Sequence, residues 1–370
     1  MKIDDKTSHN SPSIRFPEFT GEWEKCKIED ITDAVSSGKS KNHFSNGKYN
    51  LYGSTGIIGR TDKALYDGKL VLVARVGANA GFLQIINEPC GITDNTLILE
   101  PKGIDAFYLY YFLQHFNLNR LIFGSGQPLI TGGMLKKVKV SLGTISEQSK
   151  IVKFLSLLDE RIAVQNRLIE DLKKLRCAIV EKMFKQSKAN GRLGDVIEQV
   201  SVRNKNGLYS NVLSVSNKQG FVKQSEQFED RTVASEDTSN YKIVKRNNFA
   251  YNPARINVGS IARLTKFDVG IVSPMYVCFR TKASIIPEYM EAFFTSQQFF
   301  YEMMKRLEGS VRLCLSYEGL CNIPVYIPDM NKQIAMGQNI SLILSKIGLE
   351  IEYLGRLHQQ KQYLLRKMFI

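Results

Sequence analysis

The chain has little of what most catalytic, secreted or membrane proteins are built around. Its 370 residues hold six cysteines and four histidines. The cysteines (Cys26, Cys90, Cys177, Cys278, Cys314, Cys321) are scattered with no Cys-x-x-Cys pair, so neither a disulfide framework nor a metal site is expected. No apolar run approaches the ~18 residues of a membrane-spanning helix. The polar start, Met1 to Ser13, lacks the apolar core of a signal peptide. A cytoplasmic protein without a membrane partner is expected. Gly38-Lys39-Ser40 imitates the end of a phosphate-binding loop, but the leading glycine would fall on Asp33 and no long apolar helix follows. Asn252-Pro253-Ala254-Arg255 imitates the amino-methyltransferase signature and lacks its second proline and its aromatic. No clustered carboxylates and lysine suit metal-dependent cleavage. No catalytic residue, metal or cofactor is assigned to the chain.

What is present is positive charge. Fifty Lys and Arg against 36 Asp and Glu leave +14, and a field of that sign concentrates polyanions, double-stranded DNA first among them. Hydrophobic residues make up 43% and charged residues 23%, the balance of a folded soluble protein. Single cores rarely exceed ~250 residues, so at least two are expected.

The chain also repeats itself. Lys182-Met183-Phe184 recurs as Lys367-Met368-Phe369, and this offset of 185 runs without a gap back to Gly124-Ser125 against Gly309-Ser310. Over 122–184 against 307–369 there are 12 identities in 63 positions, Leu135/Leu320, Val140/Val325 and Gln148/Gln333 among them. The apolar pattern repeats more closely. Ile151, Leu155, Leu158, Ile162, Ile169, Leu172, Ile179 and Met183 map onto Met336, Ile340, Ile343, Ile347, Leu354, Leu357, Leu364 and Met368. Steps of 4 and 3 keep one helix stripe facing a partner, the seam of a coiled coil. Polar Gln165 and Arg176 interrupt the first seam where Glu350 and Lys361 interrupt the second. An antiparallel pair about a pseudo-twofold would set Arg176 against Glu350 and Gln165 against Lys361. Each helix is expected to run about 38 residues, near Glu147 to Lys185 and Lys332 to Ile370, or roughly 57 Å at ~1.5 Å per residue. Gly337, Gly348 and Gly355 should weaken the second, at about 1 kcal/mol each relative to Ala.

Before each helix lies a body rich in short runs of Val, Ile, Tyr and Phe, such as Leu70 to Val73 and Ile271 to Phe279, punctuated by Gly, Asn and Pro. One late helix is expected in each, Ile104 to Phe116 and Pro287 to Leu307. The fold class is therefore α+β: two globular recognition domains separated by two long helices in an antiparallel coiled coil. The expected segments are a flexible lead (1–20), domain 1 (21–146), the first spacer helix (147–188), domain 2 (189–331) and the second spacer helix (332–370). Between the bodies the offset slips to about 180, which sets Arg75 near Arg255.

The motifs along this frame are Arg15-Phe-Pro-Glu-Phe-Thr-Gly-Glu-Trp23, Leu51-Tyr-Gly-Ser-Thr-Gly-Ile-Ile-Gly59, Val73-Ala-Arg-Val-Gly-Ala-Asn-Ala-Gly81, Gly124-Ser-Gly-Gln-Pro128 and Glu147-Gln-Ser-Lys-Ile151. In the second half they are Tyr251-Asn-Pro-Ala-Arg-Ile-Asn-Val-Gly259, Gly309-Ser-Val-Arg312 and Leu315-Ser-Tyr-Glu318. In their order and in the duplicated spacer, the sequence resembles the specificity subunits of Type I restriction-modification systems, over nearly its whole length. The second spacer departs from the pattern, with Asn331-Lys-Gln-Ile-Ala-Met336 where the first has Glu-Gln-Ser-Lys-Ile. The resemblance implies a non-catalytic subunit that reads a bipartite target on double-stranded DNA. It further implies two methyltransferase subunits and two restriction subunits as partners, which would hold S-adenosylmethionine, ATP and Mg. Because the bodies diverge more than the helices, the two half-sites are expected to differ.

Arg reads guanine and Asn or Gln reads adenine in the major groove, while Lys mostly neutralises phosphate. Loop residues of these types are the candidates: Lys39, Lys41, Arg60, Arg75, Asn79 and Gln127 in the first domain, and Arg203, Lys205, Arg255, Asn257, Arg263 and Arg312 in the second. For Arg75 and Arg255 support of the domain fold is the competing assignment, since both end apolar runs. Phe44, Tyr49 and Tyr52 are read as core, with support of an extruded base as the alternative. Two other functions stay open at this point, a stand-alone DNA methyltransferase or nuclease and a DNA-independent coiled-coil adaptor. Methyl transfer or cleavage by the chain alone would mark the first. Binding that ignores salt would mark the second.

Overall fold

A computed structural model describes residues 10–41, 46–122, 127–185, 188–217, 219–227, 237–310 and 312–370. Phe44, Gly124 to Gly126 and Val311, which belong to expectations above, lie outside the described residues. The chain divides into two compact units, Met1–Asn166 with Glu352–Ile370, and Arg167–Ile351. The cut passes through both long helices, so each unit contains a stretch of each.

The first unit opens with β1 (Glu24–Lys27), β2 (Thr32–Ser37), β3 (Tyr49–Gly53), β4 (Gly56–Thr61), β5 (Lys69–Ala74), β6 (Leu83–Asn87), β7 (Cys90–Ile92) and β8 (Thr96–Pro101). Helices α1 (Ala106–Phe116) and α2 (Gly132–Lys136), β9 (Lys139–Leu142) and the long α3 (Ile145–Lys185) follow. One sheet has the order β2-β8-β5-β6, a second β4-β3-β7, with β7 parallel to β3. The run Leu70 to Ala74 is apolar without alternation because its strand is covered on both faces. Val71 and Val73 join Leu97 and Leu99 beneath α1, while Leu70 and Leu72 join Ile86, Ile92 and Ile98 on the other side. Helix α1 starts where the Asp105 carboxylate accepts a hydrogen bond from the Phe107 N–H at 2.7 Å and stops at Asn117, whose φ of 57° is left-handed.

The second unit holds β10 (Gly191–Arg192), α4 (Leu193–Val196), β11 (Ile197–Gln199), β12 (Val212–Ser216), β13 (Gly220–Lys223), α5 (Gln224–Gln227), β14 (Lys242–Lys245) and β15 (Phe249–Tyr251). Next come β16 (Ile261–Arg263), β17 (Val269–Val272), β18 (Val277–Thr281), α6 (Pro287–Phe294), α7 (Gln297–Met304), α8 (Tyr317–Cys321), β19 (Pro324–Val325) and the long α9 (Met330–Met368). Its sheets run β11-β18-β15-β16 and β13-β12-β17-β14, with β17 parallel to β12. Each unit thus pairs a four-stranded antiparallel sheet with a second sheet built on a hairpin and a parallel strand. The bodies that match poorly in sequence share one topology, and β14 is the addition in the second. The single helix expected over Pro287 to Leu307 is two. Ser296 Oγ accepts from the Phe299 N–H at 3.1 Å, so the chain restarts a helix there instead of continuing the first.

The long helices begin and end within two residues of the expected bounds. Every seam residue named above is buried or half-buried, while the positions between are mostly exposed. In the first unit Leu158 and Ile162 cluster with Tyr353, Leu354, Leu357 and Leu364. Asp159 meets Lys361 at 2.6 Å and the Arg161 guanidinium lies 5.4 Å from the Tyr353 ring, so α3 and the end of α9 run antiparallel there. In the second unit Val180 and Phe184 share a core with Ile340 and Met336. Polar side chains add contacts beyond the seam. The ion pair of Lys361 is with Asp159, a residue off the seam, and Arg176 donates to Thr295 Oγ1 at 3.2 Å while Glu350 pairs with Lys346 of its own helix. Side chains that flank a seam reach one another more easily than those inside it, which the apolar spacing does not register.

Each helix ends in an equivalent aromatic cage within its own unit. Phe184 is buried 5.3 Å from the Tyr289 ring and 5.2 Å from the Phe293 ring; Phe369 is buried 5.2 Å from Tyr108 and 6.3 Å from Phe112. The Tyr108 hydroxyl donates to the Ser141 carbonyl at 2.9 Å, and the Tyr289 hydroxyl to that of Tyr326 at 2.7 Å. Gln148 Nε2 donates to the Gly143 carbonyl and Gln333 Nε2 to the Pro328 carbonyl, both at 2.9 Å, which preserves the offset of 185. The lead segment, expected to be flexible over 1–20, is pinned from Asn10 onward. Arg15 grips the fully buried Glu147 carboxylate with two donors at 2.7 and 2.8 Å, Trp23 Nε1 adds a third at 3.1 Å, and the Ile14 N–H donates to the Lys367 carbonyl at 2.9 Å.

Candidate nucleic-acid interface

In the first unit the backbone gathers most of the candidates at the end of the sheet where β2 and β5 finish and β8 begins. The Arg75 N–H donates to the Asn95 carbonyl and the Arg75 carbonyl accepts from Ile130, while the Gly77 N–H donates to the Pro128 carbonyl. Those bonds set Arg75, Asn79 and Gln127 together. Ser54 Oγ reaches the same Asn95 carbonyl at 3.4 Å, which brings in the β3–β4 turn, and the Gly38 N–H donates to Thr96, which brings in Lys39 and Lys41. The segment 38–40, far from being a phosphate loop, is laced to β7: Ser40 Oγ accepts from the Ile92 N–H at 3.0 Å. Lys39, Lys41, Asn79 and Gln127 are exposed. Arg75 is half-buried, with one long bond to Ser37 Oγ at 3.4 Å and a buried Nε that has no partner. Arg60 stands apart, paired across the hairpin with Asn50 at the end away from the turn.

Sequence reasoning missed the group beside Arg60. The Glu88 carboxylate accepts from the Tyr52 hydroxyl at 2.7 Å and from Asn50 Nδ2 at 2.8 Å. These bonds, the tyrosine's first, hold the Glu88 carboxyl below its ordinary value. Burial and Glu88 push the Tyr52 phenol up to about 12. Tyr52 therefore anchors a polar cluster and is not plain core. A tyrosine and a glutamate so far apart in the chain give no local signal.

In the second unit Arg203 and Lys205 are exposed on the loop after β11, and Arg203 donates to Asn240 Oδ1 at 3.0 Å. The Asn204 N–H donates to the Tyr241 carbonyl, and Tyr241 lines one cavity with Arg255. Arg255 is exposed at the start of a short 3-10 turn that carries Asn257. Exposed Arg312 reaches the same strand end because the Leu315 N–H donates to the Pro253 carbonyl at 3.1 Å. That bond corresponds to Ile130 with Arg75 in the first unit, so the counterpart of Arg75 is Pro253, and Arg255 lies two residues on. The second strand end carries an insertion that a constant offset cannot represent.

Arg263 is not available to DNA. Its side chain is 9% exposed and is held by Glu288 and by Glu291 at 2.9 Å. A buried guanidinium between two carboxylates is a fold element, since freeing it would leave uncompensated charge in the core. Burial raises the Glu291 carboxyl above its ordinary value, with Arg263 opposing.

The long helices carry a second apolar series outside the seam, also unforeseen. Leu157, Val164, Leu168 and Leu175 on α3, and Leu342 and Leu349 on α9, are exposed, at 68% for Leu342. Leu157/Leu342 and Val164/Leu349 obey the 185 offset, whereas Leu168 and Leu175 fall opposite Tyr353 and Gln360, so the exposed series is duplicated only in part. Among the described residues no group of three or more His, Cys, Asp or Glu is placed to hold a metal, and no helix is long and apolar enough to cross a membrane.

Comparison with known proteins bears on the family and the fold. Residues 20–174 match the family model for the Type I restriction modification DNA specificity domain. A Mycoplasma genitalium protein that carries the name of a type I specificity subunit is 29% identical over 176 residues, 45% of this chain and 46% of that protein. The specificity subunit of the MjaVIII Type I restriction enzyme of Methanocaldococcus jannaschii is 32% identical over 119 residues, 31% of this chain and 28% of that one. The matches thus span less than half the length of either relative. The crystal structure of a Type I restriction-modification S subunit from M. genitalium superposes with a TM-score of 0.64 at 20% identity, over 97% of this chain and 99% of that one. The chain therefore carries a Type I restriction modification DNA specificity domain at residues 20–174 and has, over nearly its full length, the fold of a Type I specificity subunit.

Proposed function

We propose that this chain is the DNA-binding specificity subunit of a Type I restriction-modification complex, reading a bipartite, asymmetric target and directing methyltransferase and restriction subunits to it. The observation that carries the proposal is the duplication itself. Two bodies of one topology each collect basic and amide side chains at the same strand end, and those side chains differ between the units. Arg75, Asn79 and Gln127 against Arg203, Arg255, Asn257 and Arg312 amounts to two different sets of groove-reading donors and acceptors, hence two different half-sites. The helix pair then sets the spacing between them. The two exposed pairs Leu157/Leu342 and Val164/Leu349 on α3 and α9 suit two copies of one partner, the methyltransferase subunit, with two restriction subunits completing the complex. S-adenosylmethionine, ATP and Mg belong on those partners, and the chain contributes recognition without catalysis in the cytoplasm.

Mapping methylated adenines in the host genome with and without this gene tests the proposal: one two-part motif should vanish, and an unchanged map overturns it. Affinity for duplex should fall steeply with salt, and replacing Lys39 and Lys41, or Arg203 and Lys205, by Ala should lower the log–log slope by about one per lost phosphate contact.

A further inference from the structure

Beside the strand end of the second unit lies a cavity of about 230 Å³, lined among others by Tyr241, Tyr276, Asn252, Gln224, Arg255 and Met275. Its volume falls below the ~300 Å³ lower bound of pockets for drug-sized ligands, so it suits one planar heterocycle better than a whole cofactor. Its walls are chemically specific. Tyr241 and Tyr276 are buried and offer ring surface for stacking. Asn252 is buried too; its Oδ1 accepts from the Ala254 N–H at 3.1 Å, which leaves Nδ2 as a donor for a ligand. Gln224 Oε1 is buried and accepts no hydrogen bond. An amide oxygen taken from water without a donor is unfavourable, and Gln224 is among the residues lining this cavity, whose occupant would supply that donor. The site therefore calls for an amino group beside a ring acceptor, which is the hydrogen-bonding edge of adenine, or of cytosine on its pairing side. Exposed Arg255 adds the charge that a backbone phosphate would meet.

We infer that this cavity receives a single amino-bearing base extruded from the duplex in the half-site read by the second unit. The inference rests on the DNA-reading function proposed above. At the matching strand position of the first unit stands Ala74, followed by Arg75, so no amide takes the place of Asn252 and the capture belongs to the second unit. Extrusion of this kind is how proteins reach a base edge that stacking hides, and here it would serve discrimination, since the chain has no chemistry to perform on the base.

The test uses the full chain alone, so that a methyltransferase does not extrude its own target. Duplexes bearing the two-part motif carry 2-aminopurine in place of the base next to each adenine or cytosine in turn, so that the candidate base keeps its own amino group and its departure from the stack is read by its neighbour. A several-fold fluorescence rise is expected at one position of one half-site. Gln224→Leu should abolish that rise while binding weakens several-fold, and Arg255→Ala, an exposed change that leaves folding intact, should reduce it. Binding without a rise at any position overturns the inference and leaves DNA reading in place, as does a rise unchanged in both variants. Failure to bind duplex at any salt concentration overturns both. Adenosine monophosphate is the remaining arm: saturation transfer from the chain to it, lost in Gln224→Leu, would mean that a free nucleotide occupies the cavity, and the extruded base would be rejected.

Discussion

The two units are the same structure closed in two ways. In the second, the chain runs directly from the end of α3 into β10. In the first, the corresponding junction is the packing of the end of α9 against the lead segment, from the far end of the sequence. There the Arg15, Trp23 and Glu147 cluster and the Ile14 to Lys367 hydrogen bond do the closing. Position 147 shows the consequence, because the counterpart of fully buried Glu147 is Lys332, 65% exposed at its side chain. One site in a repeat is thus a buried anchor in one copy and a solvated charge in the other. The repeat preserves packing, and the polar residues around it follow from what each junction needs.

The comparison can be broken most forcefully at the two equivalent cages. Phe184→Ala and Phe369→Ala should each cost ~3–5 kcal/mol, the range for emptying a buried aromatic site, and hydrogen exchange should report the loss in the second unit for the former and in the first for the latter. Equal loosening of both units by either variant would mean that they unfold as one body. Next comes the unequal site. Glu147→Ala leaves the Arg15 charge and the Trp23 N–H without their acceptor and should destabilise the first unit by about 3 kcal/mol, whereas Lys332→Ala should leave the denaturant midpoint unchanged.

The helix glycines give smaller effects of opposite sign. A Cβ on Gly348 or Gly355 would meet nothing within 4 Å, so Gly→Ala at either should stabilise by about 0.5–1 kcal/mol. A Cβ on Gly337 would lie 2.8 Å from that of Glu288, so the same change should destabilise the second unit. The expectation that all three glycines simply weaken the helix thus holds for propensity at two of them, while the third is where α6 packs closely.

Acid should separate the units by the smallest margin. Both histidines among the described residues, His115 and His358, fall in the first unit. Burial holds the His115 imidazole below its ordinary 6.5, against a hydrogen bond to Leu365. The unfolded chain then takes up the proton more readily, so this contribution to stability is present above about pH 6.5 and is lost as pH falls toward the lower folded value. Glu291 in the second unit has the opposite sign, since its raised carboxyl favours the folded state below about pH 4.5 and less so as pH rises through the folded value. Exchange rates at pH 7 and pH 5.5 should show the first unit opening more in acid, and His115→Gln should remove that effect.

Much of the scaffold was legible without coordinates. A 3.5-residue period has a single geometric meaning, so Ile151 to Leu364 read directly as seam, and an ungapped offset of 185 carries the apolar seam from one copy to the other. The bodies were legible only as strand-rich. Strand pairing joins residues far apart in the chain, and two sheets can share a topology while nearly every residue that fills them differs. Arg263 shows the limit for the site. A cation in a loop-like stretch has the same sequence signature whether it faces phosphate or two buried carboxylates, and only the approach of Glu288 and Glu291 from another helix decides between them.

By itself, then, the sequence determined the duplication, the two long helices with their seam and the excess of positive charge, because each is a local, periodic or compositional property that no partner in space can alter. The tertiary structure alone decided that the two bodies share a topology and that the junction of the first unit is clasped through Glu147. It also decided that Pro253 takes the place of Arg75, and that Gln224 and Asn252 face one cavity. Those facts depend on which distant residues meet, and backbone hydrogen bonding and close packing settle that only once the chain has folded.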